Sequence, residues 1–261
     1  MTTAPTLAPS PAARSRGRNM IAVASGKGGV GKTWFAVTLA HSLAKKGART
    51  LLFDGDLGLA NLDIQLGLMP KHDLGSVIAG RLTLNQAVIP YDEGKFDIIA
   101  GRSGSGSLAN TAASRLQILG DDLTLLAAAY DKVILDLGAG VERTVRQLTH
   151  NVGTCVVVAT DEPTSLTDAY AFIKVTHMES PGMDIQILIN IANSTREGER
   201  TYNTLLKASE AFLKISPPLL GIVRRDNKVR EAIRSQTSIL TRSPNSEAAN
   251  DVEAVAGKLL K

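Results

Sequence analysis

The sequence predicts an α/β fold: a doubly wound, mostly parallel sheet with helices on both faces. Three observations carry that expectation. Short apolar runs alternate with longer amphipathic stretches along most of the chain. The runs are apolar at nearly every position rather than at alternate ones, as strands covered on both sides are. A glycine-rich turn joins the first run directly to the first helical stretch, as at the start of a βαβ unit.

The elements follow in order. Residues 20–24 (MIAVA) form the first strand, and residues 33–46 a helix with Phe35, Leu39 and Leu43 on one face. Gly47 ends that helix, with Lys45 and Lys46 in its last turn. Further strands are expected at 50–53, 96–99, 132–135, 155–159, 185–189 and 219–223. Helices are expected at 113–129, 141–150, 164–176, 197–213, 228–235 and 247–260. Residues 101–107 (G-R-S-G-S-G-S) read as a flexible loop. Pro5, Pro9 and Pro11 and the lack of apolar periodicity make residues 1–19 a disordered tail, so 20–261 is expected to be one domain.

Composition excludes several classes. The 261 residues are 44% hydrophobic and 21% charged, which suits a globular chain with its own core. The net charge is +4, but Arg14, Arg16 and Arg18 lie in the tail, so the folded part is close to neutral. A single cysteine, Cys155, excludes an internal disulfide and a Cys-rich metal site. No apolar run approaches the ~20 residues that span a bilayer, and the N-terminus has no apolar leader, so a cytoplasmic location is expected.

Residues 26–33 read G-K-G-G-V-G-K-T. They satisfy G-x-x-x-x-G-K-[ST], with Gly26, Gly31, Lys32 and Thr33 in the required places. Gly28, Gly29, Val30 and Gly31 would turn backbone N–H groups toward phosphate oxygens, and Trp34 follows at the helix start. Lys32 is expected at the β- and γ-phosphates and Thr33 on Mg²⁺. Spacing alone leaves the extra lysine, Lys27, either solvated or ligand-directed.

Three acids follow. Asp54 and Asp56 close the second strand, where carboxylates face a nucleotide crevice; one can orient an attacking water and another can hold metal-bound water. Asp63, beyond Asn61, reads as a helix cap. Residues 133–140 (V-I-L-D-L-G-A-G) end a buried strand in Asp136, a candidate Mg²⁺ ligand through water. Gly138 and Gly140 then let the loop change conformation when a phosphate leaves. Asn190 and Asp226 lie at later strand ends and are candidate adenine contacts, with ordinary capping as the alternative.

The loop with its second lysine resembles the deviant Walker A motif of the MinD/ParA family, and the resemblance spans residues 20–250 or so. It implies an ATPase using ATP/ADP and Mg²⁺, with slow, partner-stimulated hydrolysis. It also implies an ATP-dependent homodimer in which Lys27 crosses to the partner's nucleotide. Asp56 would position the attacking water in switch I with Asn61 nearby, and Asp136 would be the Walker B acid. Asn190 and Asp226 match positions that recognise adenine, while Arg224 stands where proline is usual and Ile191 where arginine is usual.

Residues 56–67, residues 162–174 (E-P-T-S-L-T-D-A-Y-A-F-I-K) and the 101–107 loop look like the flagellar-number regulators of MinD type, the FlhG (FleN, YlxH) group. That resemblance implies control of flagellar number and placement. The implied partners are the signal-recognition-type GTPase FlhF, flagellar basal-body proteins or a flagellar transcription activator. Residues 1–19 lack the D-Q-A segment through which such regulators activate the GTPase. The last helix carries Val252, Val255 and Leu259 but no aromatic, so it reads as packed on the domain rather than as a membrane anchor. Membrane or polar association is then left to the ATP-bound state. The alternative is a ParA-type ATPase that partitions DNA, with Arg224, Arg225, Lys228, Arg230 and Arg234 as a phosphate-contacting stripe interrupted by Glu231.

Overall fold

The structure, a computed structural model, describes residues 17–101 and 111–260. Most of the tail (1–16) and of the glycine-serine loop (102–107) lie outside the described residues. The elements run β1 (Met20–Ser25), α1 (Lys32–Lys45), β2 (Thr50–Gly55), α2 (Leu62–Leu66), α3 (Leu74–Ile78), β3 (Ile89–Tyr91) and β4 (Phe96–Ile99). They continue α4 (Ala113–Ala127), β5 (Lys132–Ala139), α5 (Arg143–Thr149), β6 (Thr154–Ala159), α6 (Pro163–Glu179), β7 (Asp184–Ala192) and α7 (Thr195–Leu213). The last are β8 (Leu219–Arg224), α8 (Asn227–Arg234), α9 (Ile239–Arg242) and α10 (Glu247–Leu259).

Eight strands form one sheet in the order β3-β4-β2-β5-β1-β6-β7-β8. Only the β3–β4 pair is antiparallel. Side chains of β1 alternate between two cores: Met20, Ala22 and Ala24 face one, Ile21 and Val23 the other. The first core is closed by apolar residues of α3 to α7, the second by those of α1, α2 and α8 to α10. Burial on both faces is why these strands carry unbroken apolar runs.

Three differences from the sequence expectation have local causes. β3 is a three-residue strand containing Pro90, too short for any pattern; it forms at the sheet edge, where a missing N–H is tolerated. β5 and β7 run further than expected, because neighbours on both sides extend their ladders: Asp136 pairs with Asp54 and Val23, and Asn190 lies inside β7. Gly17–Asn19, read from the sequence as tail, sit against the domain. Gly17 adopts φ +73°, and a Cβ there would come within 2.1 Å of the Asn151 carbonyl. Asn19 Nδ2 donates to the carbonyls of Ala127 (2.8 Å) and Tyr130 (2.9 Å), pinning the entry to β1.

Helix α10 lies on the sheet. Val252, Val255 and Ala256 are buried, and Lys258 Nζ donates to the Leu220 carbonyl at 2.6 Å. Its apolar stripe is therefore already used. Among the described residues no helix is long and apolar enough to cross a membrane.

Candidate nucleotide site

The strand order places the three chemical segments side by side. β2, β5 and β1 are consecutive in the sheet, so Asp54–Asp56, Asp136–Gly140 and the loop after β1 meet at one end of it. Gly140 N donates to the Ser25 carbonyl at 2.8 Å and fastens the β5 loop beside the β1 loop.

The loop before α1 is shaped by its glycines. Gly31 is the α1 N-cap in the left-handed region at φ +88°, and a Cβ there would come within 2.4 Å of Asn190 Nδ2. Gly28 and Gly29 face open space. Asn190 Nδ2 donates to the Val30 carbonyl at 2.8 Å, holding the loop from behind. No side chain caps α1, and its first turn has no acid. Its leading N–H groups are thus left for an anion, which is the arrangement phosphate requires.

Lys32, Thr33 and Asp136 form the floor. Lys32 is 9% exposed; burial lowers its pKa, opposed by the attraction of Asp136 and then Asp56. Asp136 is 2% exposed, and burial pushes its carboxyl up to about 7 against a hydrogen bond from Thr33 and the charge of Lys32. One Asp136 oxygen, Oδ1, is buried with no partner among the described residues. Burial, and then Asp136, also raise Asp54 well above the usual carboxylate range. Its oxygens accept from the N–H groups of Asp56 (3.3 Å) and Gly101 (3.3 Å), so Asp54 pins two loops. Among the described residues no cluster of three His, Cys, Asp or Glu side chains could hold a metal by itself. A cation beside Thr33 and Asp136 would need ligand oxygens to complete its shell, as Mg²⁺ on a nucleotide does.

The burial of Asp136 has a measurable consequence. A carboxyl whose folded pKa exceeds its unfolded value favours folding while protonated. That stability is full below about pH 4 and lost as pH rises through about 7. Asp136→Asn should therefore flatten the fall in ligand-free Tm between pH 4 and 7, while weakening any Mg²⁺-dependent ligand binding. Identical Tm-against-pH curves for variant and wild type would remove this account of the floor.

Two cavities open over these residues. One, of about 740 Å³, is lined by Gly28, Gly29, Gly31, Lys32, Thr33, Trp34, Asp56, Asn61 and Gly138, so nine of the residues singled out in the sequence meet there. Asp56 Oδ1 accepts from Leu59 N at 3.0 Å, and a Cβ on Gly138 would come within 3.3 Å of it, so Asp56 touches both flanking loops. The second cavity, of about 300 Å³, contains Asn190 and Asp226 together with Arg225, Arg230 and Trp34. Asp226 acts as a double cap: Oδ1 accepts from Lys228 N (2.8 Å) and Oδ2 from Ala248 N (3.3 Å). Asp63 Oδ1 accepts from Ile64 N at 2.8 Å in the first turn of α2.

Gly26 lies away from both cavities, where a Cβ would come within 2.0 Å of the Asp168 carbonyl on α6. Lys27 also turns to α6: its Nζ contacts Glu162 Oε2 at 2.6 Å and Thr164 Oγ1 at 2.8 Å. This ion pair holds the Glu162 carboxyl below its usual range. Sequence reasoning missed Glu162 as a partner of Lys27 because 135 residues separate them. Gln65, Glu142 and Ile233 also line the first cavity, and no sequence motif marks them.

A glycine-formed anion cradle, a buried lysine and strand-end carboxylates on a parallel sheet define a P-loop nucleotide-binding protein. Residues 21–239 match the CobQ/CobB/MinD/ParA nucleotide binding domain, and the chain belongs to that family. It is 35% identical over 240 residues to the antiactivator FleN of Pseudomonas aeruginosa, covering 92% of this chain and 85% of FleN. It is 30% identical to the flagellum site-determining protein YlxH of Helicobacter pylori, covering 92% and 81% of the two chains. The fold is that of the septum site-determining protein MinD complexed with Mg-ADP from Pyrococcus horikoshii. That match has a TM-score of 0.79 at 24% identity over 93% of this chain and 96% of that one.

Proposed function

We propose that this chain is a regulatory ATPase that controls the number or placement of flagella through an ATP-dependent homodimer. The observation that carries the flagellar role is the near-full-length similarity to FleN and YlxH. The chemistry rests on the site. The N–H groups of residues 28–33 and Lys32 hold the phosphates. The Thr33 hydroxyl would bind Mg²⁺ and Asp136, with Asp54 behind it, would hold the ion through water, and bound Mg²⁺ would neutralise charge on the phosphates. Asp56 orients the attacking water, and Asn61 and Gly138 flank it. Asn190 faces the base; Asp226 supports the base cavity as a cap. The work is a population shift between monomer and dimer, so slow hydrolysis suffices.

Lys27 crosses to the partner's nucleotide only after leaving Glu162 and Thr164. The ion pair on α6 therefore competes with dimerisation. Glu162→Gln should tighten the ATP-dependent dimer roughly two- to thirtyfold, the range of two exposed ion pairs, one released in each protomer. Sedimentation at graded protein concentrations reads this directly, and an unchanged dimer constant would remove the competition.

Partners gated by the dimer are a signal-recognition-type GTPase, basal-body proteins or a flagellar transcription activator. The DNA-partitioning alternative draws less support. Arg224 is committed to Asp251 (2.9 Å) and Glu247 (2.6 Å), and Lys228 to Glu231 (3.0 Å), so the basic stripe is partly neutralised. Deleting the gene in its own host and counting flagella per cell tests the proposal. Normal flagellation with loss of plasmid or other cargo would reverse the ranking.

A further inference from the structure

Trp34 is the single tryptophan of the chain, and it sits in the first turn of α1, directly after Thr33. It is 5% exposed and belongs to the core beneath α1. Yet it lines both cavities. Only Gly29, Gly31, Trp34 and Ile233 are common to the two walls. The glycines have no side chains, and Ile233 is exposed on α8, so Trp34 is the one buried side chain at the junction. Its indole nitrogen is buried and has no hydrogen-bond partner among the described residues. A dry, unmade N–H bond is costly, and structures keep few of them.

The shape of the ligand class gives this position a meaning. A nucleotide carries phosphates at one end and a base at the other, joined by the α-phosphate and ribose. The α1 N-terminus and Lys32 fix the phosphate end, and the second cavity takes the base. The link must then pass over the residue shared by both walls. We propose that Trp34 holds this link, packing its ring on the ribose and donating its indole N–H to an oxygen of the ribose or α-phosphate. The inference rests on the nucleotide reading of the site above and assigns it a contact specific to nucleosides carrying phosphate. The nitrogen is covered as well as unpartnered, so the proposed contact requires the indole to turn toward the cavity as the ligand seats. Thr38 Oγ1 donates to the Trp34 carbonyl at 2.8 Å and ties the backbone there to the next turn of α1.

The test compares two ligands that share the phosphate cradle but differ in the link: ADP and inorganic pyrophosphate, each with Mg²⁺. Calorimetric titration is run on wild type, Trp34→Phe, Trp34→Leu and Lys32→Ala. Trp34→Leu should weaken ADP about tenfold, and Trp34→Phe about threefold by losing the N–H and part of the ring contact, with pyrophosphate affinity unchanged. In wild type, the lone tryptophan emission should change with ADP and not with pyrophosphate, a readout that needs no variant to fold. Equal losses for both ligands would mean that Trp34 only props the loop and would overturn the proposal. ADP affinity unaffected by either substitution would overturn it too, while leaving the nucleotide site intact if Lys32→Ala abolishes binding. Wild type binding neither ligand would remove both the nucleotide reading and this inference.

Discussion

Lys32→Ala is expected to lower ATP and ADP affinity by about a hundredfold or more, the scale of removing a desolvated, charge-assisted contact. Lys32 is the buried cation of the floor, flanked by Asp136 and Asp56. Without it, phosphate oxygens would enter a space whose nearest ionisable groups, Asp54, Asp56 and Asp136, are all acids. The ammonium's burial cost has already been met in the folded protein, so its attraction for phosphate is available in full. Calorimetry with both nucleotides measures the loss, and a thermal melt confirms that the variant is folded. Unchanged affinity in a folded Lys32→Ala protein would sink the site assignment.

Asp56→Ala should behave in the opposite way. Asp56 lies at the mouth of the phosphate cavity, against Leu59 N on one loop and Gly138 on the other. Its charge acts on Lys32 less than that of Asp136 does, so nucleotide affinity should stay within about threefold. Turnover should fall by about a hundredfold or more, the usual effect of losing the group that orients or deprotonates water. With hydrolysis blocked, ATP-bound dimer should accumulate. Light scattering on a sizing column with saturating ATP and Mg²⁺ reads the state, and a monomer there would contradict the dimer reading. The two substitutions together separate binding from turnover, because one removes the cradle's charge and the other leaves it.

Much of the fold and part of the site were legible in the sequence, for a common reason. Strands buried on both faces must be apolar throughout, so seven of the eight strands show as runs, whereas β3, with three residues and Pro90, could not. The loop before α1 is contiguous, so the motif spacing alone groups Gly28, Gly29, Gly31, Lys32 and Thr33, which line one cavity. Asp56 and Asp136 follow because strand ends beside such a loop face the same crevice.

Other residues were visible as types but not as roles. Asp226 can cap or read a base; its two oxygens are taken by Lys228 N and Ala248 N, and the second of these bonds joins residues 22 apart. Asp54 resembles a metal-associated acid, but the structure ties it to Gly101, 47 residues away. Trp34 follows the loop with no sequence signal of what its ring would line.

By itself the sequence determined the fold class, the phosphate loop and the strand-end acids, because each is written in a local period or a contiguous motif. Only the tertiary structure decided where long side chains point: Lys27 onto Glu162, Asp226 onto two helix starts, Trp34 between two cavities. Those choices depend on sheet order and helix docking, which bring Asp226 to Ala248, 22 positions on, and Lys27 to Glu162, 135 positions on. A free lysine or carboxylate carries no record of a partner it meets only after the chain has folded.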